Sequence, residues 1–156
     1  METVREKLQI FVRRFGLLNA SCCDECCGEQ VSMVQSHILY EVRRLGNPSM
    51  QRVAEELGVD ITTFSRQVKA LEGRGLVVRQ VSADDRRVNL LGLTEEGLQV
   101  LEQIDRYMSE RLELIFANMT AFERETVVRS LALLNEALTQ LGCCGPRSEN
   151  KIVCCK

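Results

Sequence analysis

From position 49 to 97 the hydrophobic pattern changes period in a fixed order: helical, broken, helical again, then strand-like over two short runs. Met50, Val53, Ala54 and Leu57 recur at the three- and four-residue steps of an amphipathic helix. Gly58 follows, a residue that accepts the left-handed backbone of a tight turn. Ile61, Phe64, Val68 and Leu71 resume a buried helical stripe, with Asp60 at the N-cap position and Gly73 and Gly75 near the stop. Leu76-Val77-Val78-Arg79 and Val88-Asn89-Leu90-Leu91 read as paired strands around the charged tip Ser82-Ala83-Asp84-Asp85-Arg86-Arg87. The expected order is helix, turn, helix, hairpin, and the start of a further helix.

The flanks are helical throughout. Val4, Leu8, Phe11, Val12, Phe15 and Leu18 predict an amphipathic first helix, followed by a cysteine-rich turn. Val34, Ile38, Val42 and Leu45 predict the inward stripe of a second helix over 31–45. It carries the only histidine, His37, which reads as an ordinary satisfied helical residue. Gly46-Asn47-Pro48 ends it, with Pro48 expected in the first turn of the next helix. Downstream, Thr94 is placed to cap a long helix, and Glu95 and Glu96 complement its dipole. Leu98, Leu101, Ile104, Met108, Leu112, Ile115 and Met119 keep its spacing. Thr120-x-x-Glu123 is a capping box that opens a last helix. There Val127, Leu131, Leu134, Leu138 and Leu141 form a coiled-coil-like seam suited to a partner helix, or an intrachain core stripe.

Chemistry concentrates on the second helix of the 49–97 stretch. Opposite its apolar stripe lie Thr62, Thr63, Ser65, Arg66 and Lys69, hydroxyls and cations with no carboxylate before Glu72. Such side chains donate to phosphate oxygens and base edges. A short helix, a glycine-containing turn and a donor-rich second helix make a helix-turn-helix reader of the major groove. An arginine on a hairpin tip enters a narrow minor groove, where the potential is most negative, and Arg86 and Arg87 stand at that tip. Asp84 and Asp85 are positioned to orient the arginine by hydrogen bonding. The plain alternative is a solvated helix face and a solvated turn. Spacing, turn chemistry and hairpin all agree on the reader.

The run LxxxGLVxRxxSxDDRRxxxLxLTEEG, ending at Gly97, resembles the winged helix-turn-helix of the multiple-antibiotic-resistance regulator (MarR) family. The resemblance implies a mainly α fold with a small β-wing, in which N- and C-terminal helices build a dimerisation region above two winged DNA-binding lobes. It assigns Thr62, Thr63, Ser65, Arg66 and Lys69 to the major groove and Arg86, with Arg87 beside it, to the minor groove. The implied partners are a second copy of the chain and a pseudo-palindromic duplex operator. The implied division is a dimerisation helix and cysteine-rich turn over 1–30, the winged lobe over 31–93, linker and dimerisation helices over 94–142, and a tail over 143–156. Family members commonly respond to phenolic or aromatic carboxylate ligands bound between the lobes.

Composition changes this picture in two ways. The net charge of the 156-residue chain is only −2, but its distribution is uneven. From 61 to 91 six cations face three carboxylates, and from 94 to 141 nine carboxylates face four arginines. The basic segment coincides with the expected reader, and dimerisation would double its footprint. No apolar run reaches membrane-spanning length, and the charged N-terminus METVREKLQIFVRRFG lacks a signal-peptide core, so a cytoplasmic address is expected. The lone Cys23-x-x-Cys26 lacks the strand-rich surroundings of redox enzymes, and no phosphate loop or Ser/His/Asp set accompanies it, so no enzymatic activity is expected.

The second change is the cysteines. All eight fall in adjacent pairs: Cys22-Cys23, Cys26-Cys27, Cys143-Cys144 and Cys154-Cys155. A disulfide scaffold conflicts with a cytoplasmic address. Structural zinc fits the one C-x-x-C spacing but lacks a second such motif. A thiol-oxidation switch is open, with bridges between clusters rather than within strained adjacent pairs. Clustered thiolates also select soft thiophilic ions such as arsenite, mercuric, cuprous or cadmium, and this is the favoured reading. Asp24 and Glu25 add negative charge that favours cation capture and raises thiol pKa values, which weighs against oxidation. The expected regulator thus has no obligatory cofactor, and its operator binding answers to Cys22, Cys23, Cys26 and Cys27, with Cys143, Cys144, Cys154 and Cys155 as further ligands.

Overall fold

The computed structural model of the protein describes residues 3–15 and 31–141. In chain order these form α1 (Val4–Phe15), α2 (Met33–Leu45), α3 (Met50–Leu57), α4 (Ile61–Gly73), β1 (Val77–Val81), β2 (Asn89–Leu93), α5 (Glu95–Phe116) and α6 (Ala121–Leu141). The mainly α architecture with a small antiparallel wing matches the expectation from sequence.

Each helix of the central lobe starts at a side-chain cap. Ser32 and Gln35 form a reciprocal capping box on α2, so the amide of the buried Gln35 is occupied. Ser49 accepts from the Arg52 N–H at the start of α3. Asp60 caps α4, and Thr94 caps α5 by accepting from the Gly97 N–H. Gly58 closes α3 in the left-handed region at φ 63°, ψ 27°, where a Cβ is costly. That single turn sends α4 across α3.

One core holds the lobe together. Ile38, Leu39 and Val42 of α2 meet Val53 and Ala54 of α3, and Phe64, Val68 and Leu71 of α4. Leu76, Val77 and Leu91 close it from the hairpin, and Val100, Leu101 and Ile104 from the first half of α5. β1 and β2 pair antiparallel, with Val77 opposite Leu93 and Arg79 opposite Leu91. The hairpin is anchored at mid-length by the Leu91 N–H on the Pro48 carbonyl and by a bridge between Ser49 and Leu90.

The joint between α4, β1 and α5 is unusually close. A Cβ on Gly97 would lie 2.0 Å from the Leu76 carbonyl oxygen, so only glycine fits there. The Thr94 N–H donates to that same carbonyl, and the Thr94 hydroxyl donates to Gly75 O at 2.6 Å. The end of α4 is thereby pinned to the first turn of α5.

Several expectations need correction. Val34 and Ile61 fall on expected inward stripes but are exposed, as is Leu98 at the start of the α5 spacing. Each sits in the first turn of its helix, before neighbouring elements close over it. Val31 is buried but precedes the Ser32 cap, and Pro48 precedes the Ser49 cap rather than entering α3. Met119 lies past the end of α5, in the turn before the Thr120–Glu123 capping box. The strands run farther from the turn after α4 and nearer to α5 than the apolar runs alone indicate, ending at Val81 and Leu93.

The outer helices contrast with the lobe. No residue of α1 is buried, and no described side chain of α6 is buried. Phe11 and Phe15 stack at 5.3 Å on α1. Arg111 of α5 lies over the Phe15 ring and donates to its carbonyl at 3.2 Å. The seam residues Leu131, Leu134 and Leu138 remain 47%, 45% and 45% exposed within one chain.

Candidate nucleic-acid interface

The outward side of α4 is set by what its inward side buries. Phe64, Val68 and Leu71 are fully buried, which turns Thr62, Arg66 and Lys69 to solvent. Thr63 is exposed as well, and Ser65 is half-buried at the margin of this face. All five sequence-derived candidates on the helix therefore lie on or beside one accessible surface. No described residue forms an ion pair with Arg66 or Lys69.

Asp60 organises the tip of that helix. Its Oδ1 accepts from the N–H groups of Thr62 at 3.0 Å and Thr63 at 2.9 Å. Hydrogen bonds from the Thr63 side chain and then its backbone hold the Asp60 carboxyl below its ordinary range. The N–H groups of Thr62, Thr63 and Phe64 are all taken by Asp60, so outward contacts here fall mainly to side chains. Ile61, 45% exposed, stands at this tip although its spacing marks it as core.

The wing tip is built from its own hydrogen bonds. The Ser82 N–H donates to Val88 O and the Val88 N–H to Asp85 O, both at 2.9 Å. Asp85 Oδ1 accepts from the Arg87 backbone N–H at 2.9 Å, and Ser82 Oγ from the Asp84 N–H at 3.3 Å. The aspartate and serine therefore shape the loop backbone. They do not hold the arginine side chain as the sequence implied, and no described residue bonds the Arg86 guanidinium. Arg86 and Arg87 project exposed from the tip.

The other cations of the lobe are mostly paired. Arg44 bonds Glu41 at 2.7 Å and reaches Glu56 at 3.4 Å, and its pKa is raised chiefly by the Glu41 hydrogen bond. Arg52 bonds Glu56, Arg43 bonds Asp105, and Arg79 bonds Glu72. Arg79 was counted from sequence only as local positive charge, and its engagement with Glu72 was missed. Opposite charge seven residues apart across a helix stop gives no periodic signal.

The cysteine candidates Cys22, Cys23, Cys26, Cys27, Cys143, Cys144, Cys154 and Cys155 all lie outside the described residues. Among the described residues no group of His, Cys, Asp and Glu side chains is arranged to hold a metal ion. No described helix is long and apolar enough to cross a membrane.

A sequence model of the MarR family matches residues 31–88. The uncharacterized HTH-type transcriptional regulator YxaD of Bacillus subtilis is 29% identical over 137 residues, covering 88% of this chain and 94% of its own. YdgJ of the same organism, also an uncharacterized HTH-type regulator, is 24% identical over 104 residues, 67% of this chain and 62% of its own. Among solved structures, Streptococcus pneumoniae FabT in complex with DNA is similar with a TM-score of 0.78 at 22% identity, covering 88% of this chain and 96% of that one. The PcaV regulator of Streptomyces coelicolor, in complex with its natural ligand, gives 0.67 at 21% identity over 88% and 97%. At these identities the structural likeness is one of fold. The relatives matched by sequence are transcriptional regulators, not enzymes.

Proposed function

We propose that this chain, which belongs to the MarR family of winged-helix transcriptional regulators, binds duplex DNA as a homodimer in the cytoplasm and acts there as a repressor. The observation that carries the reading is the pairing of two unengaged cationic surfaces: Arg66 and Lys69 on the outer face of α4, and Arg86 on the wing tip. Cations left unpaired while their neighbours are paired are available to phosphates and base edges. In this assignment Thr62, Thr63, Ser65, Arg66 and Lys69 enter the major groove, and Arg86, flanked by Arg87, meets the adjacent minor groove.

Dimerisation follows from apolar cost. The exposed seam of α6 and the exposed Val4, Leu8 and Phe11 of α1 need a cover, and a second copy supplies it. Residues 1–30 and 94–142 then act as the dimer scaffold, and 31–93 as the reader. Two readers present their helices to half-sites about 34 Å apart, one DNA turn.

Control is assigned to the thiolates. The stretch of sequence with Cys22, Cys23, Cys26 and Cys27 lies between α1 of the scaffold and α2 of the reader. A soft ion bound there, with Cys143, Cys144, Cys154 or Cys155 as further ligands, fixes the relation of scaffold to reader and mismatches the half-sites. Such an ion changes operator affinity only by its preference for one of the two shapes. The support is the cysteine pairing in the sequence, and the FabT and PcaV structures place no constraint on the effector.

Operator binding by an Arg66→Ala, Arg86→Ala variant tests the DNA reading. Affinity is expected to fall by at least tenfold, with a shallower salt dependence by about one phosphate per lost contact. Unchanged affinity and slope would remove the reading. Titration of the reduced protein with arsenite, zinc or a peroxide, with DNA release as readout, tests the control. A variant with serine at Cys22, Cys23, Cys26 and Cys27 is expected to lose the arsenite response. A full response in that variant rules out the N-terminal cluster, and a response to peroxide alone assigns the switch to oxidation.

A further inference from the structure

We propose that Glu72 and Arg79 are positioning residues for DNA reading, a strut that fixes the angle at which the wing arginine meets a duplex already held by α4. The inference rests on the DNA-binding reading above and deepens it. The Arg79 guanidinium bonds Glu72 through both ends of its fork, Nε to Oε1 at 3.2 Å and Nη2 to Oε2 at 2.6 Å. Two parallel bonds fix the plane of the contact as well as its distance. The side chains are 27% and 28% exposed, against 39% and 43% for the Arg43–Asp105 pair, so this pair is the better shielded from solvent.

Its place in the fold gives the strut its role. Glu72 lies in the last turn of α4, and Arg79 in the middle of β1. Strand alternation puts Arg79 on the same face as the buried Val77, toward the helices. Across the ladder it stands opposite Leu91, whose N–H is held by Pro48 O. The two strands are thus secured at adjacent levels, β1 through Arg79 and β2 through Pro48 at Leu91 and Ser49 at Leu90. Beyond Arg79, Gln80 and Val81 are exposed, and the tip is held by its own bonds. A two-stranded ribbon alone is poorly stable. The direction of Arg86 is therefore inherited from the level of Arg79.

The pair also removes a liability. Glu72 is the only carboxylate on α4, and engagement by Arg79 neutralises it beside the reading face. A direct phosphate contact by Arg79 is the competing role. The two roles predict opposite signs for Glu72→Ala. If Arg79 itself binds phosphate, removing its acidic partner tightens DNA binding. If the pair aims the wing, losing Glu72 weakens binding even though a negative charge has gone.

The experiment measures affinity for a duplex operator, selected from a random pool, by fluorescence anisotropy across a salt series. The full-length chain is compared with Glu72→Ala, Arg79→Ala, Arg86→Ala, the Arg79→Ala/Arg86→Ala double, and the swap Glu72→Arg/Arg79→Glu. Glu72→Ala and Arg79→Ala are each expected to weaken binding roughly tenfold, within the range of coupled sites. The Arg79→Ala/Arg86→Ala double is expected to be no weaker than Arg86→Ala by more than about twofold, because a wing that has lost its arginine has nothing left to aim. The charge swap is expected to restore most of the loss, which separates aiming from direct contact and from simple unfolding. Additive losses in the double, tighter binding by Glu72→Ala, or no rescue by the swap would each overturn the strut. An Arg86→Ala variant that binds as wild type overturns it as well, together with the wing half of the DNA reading. Losses confined to Arg86→Ala leave that reading standing and remove the strut alone.

Discussion

Val53 in α3 and Leu134 in α6 sit on equally regular helical stripes, yet one is wholly buried and the other 45% exposed. The difference divides the molecule. Residues 31–104 contain every buried hydrophobic among the described residues, and they close around α2, α3, α4, the hairpin and the start of α5. α1, the far half of α5 and α6 carry comparable apolar spacing, and no described residue buries it. A hydrophobic stripe therefore states that a face seeks a partner. It does not state whether the partner belongs to the same chain. In the central lobe the stripes meet one another, and in the outer helices they stay exposed to solvent among the described residues.

The largest effect that probes this contrast lies in the sealed lobe. Phe64→Ala leaves a cavity between α2, α3 and α4, and is expected to cost about 3–5 kcal/mol of unfolding free energy. Urea denaturation at several protein concentrations checks it, since a loss inside one chain is the same at each. A loss that vanishes at high concentration would mean that the lobe, too, depends on a partner.

Next comes the open side. Leu134→Glu with Leu138→Glu is expected to weaken self-association by about a hundredfold, because two apolar contacts per chain are replaced by charge. Sedimentation equilibrium measures this, and circular dichroism should still report folded helices. Unchanged association would move the interface off the α6 seam.

A smaller effect distinguishes the cap of α4 from its core. The Asp60 carboxyl is held below its ordinary pKa, so its ionised form stabilises the folded state. That contribution is present above the unfolded pKa and is lost as pH falls through the folded one. Asparagine keeps a cap but cannot titrate. Wild type is thus expected to exceed Asp60→Asn in Tm at neutral pH, and the gap should close as the solution is acidified through the carboxylate range. A gap independent of pH would show that charge at Asp60 contributes nothing.

The smallest expected change is at Ile61, whose spacing assigns it to the core and whose exposure does not. Ile61→Ala is expected to alter stability by no more than about 0.5 kcal/mol, as at an ordinary surface site. A loss approaching that of Phe64→Ala would restore it to the buried stripe.

Much of this was legible beforehand because local chemistry enforces it. Asp60, Thr94 and the Thr120–Glu123 box announce helix starts through caps that require only neighbours in sequence. Gly58 marks the turn by its left-handed backbone. The donor face of α4 follows from helical periodicity once Phe64, Val68 and Leu71 are inward. Periodicity places Val34 and Ile61 inward while both are exposed in first turns, since it is blind to where a neighbouring element ends.

By itself, the sequence settled the order of the helices, the caps that open α4, α5 and α6, which face of α4 is polar, and that the hairpin tip carries arginines. These depend on interactions spanning a few residues. Tertiary structure alone decided that Arg79 is engaged by Glu72 while no described residue pairs with Arg66 or Arg86, that Gly97 must approach Leu76, and that the stripes of α1 and α6 stay exposed among the described residues. Those outcomes depend on which segments meet in space, and a one-dimensional pattern carries no record of that meeting.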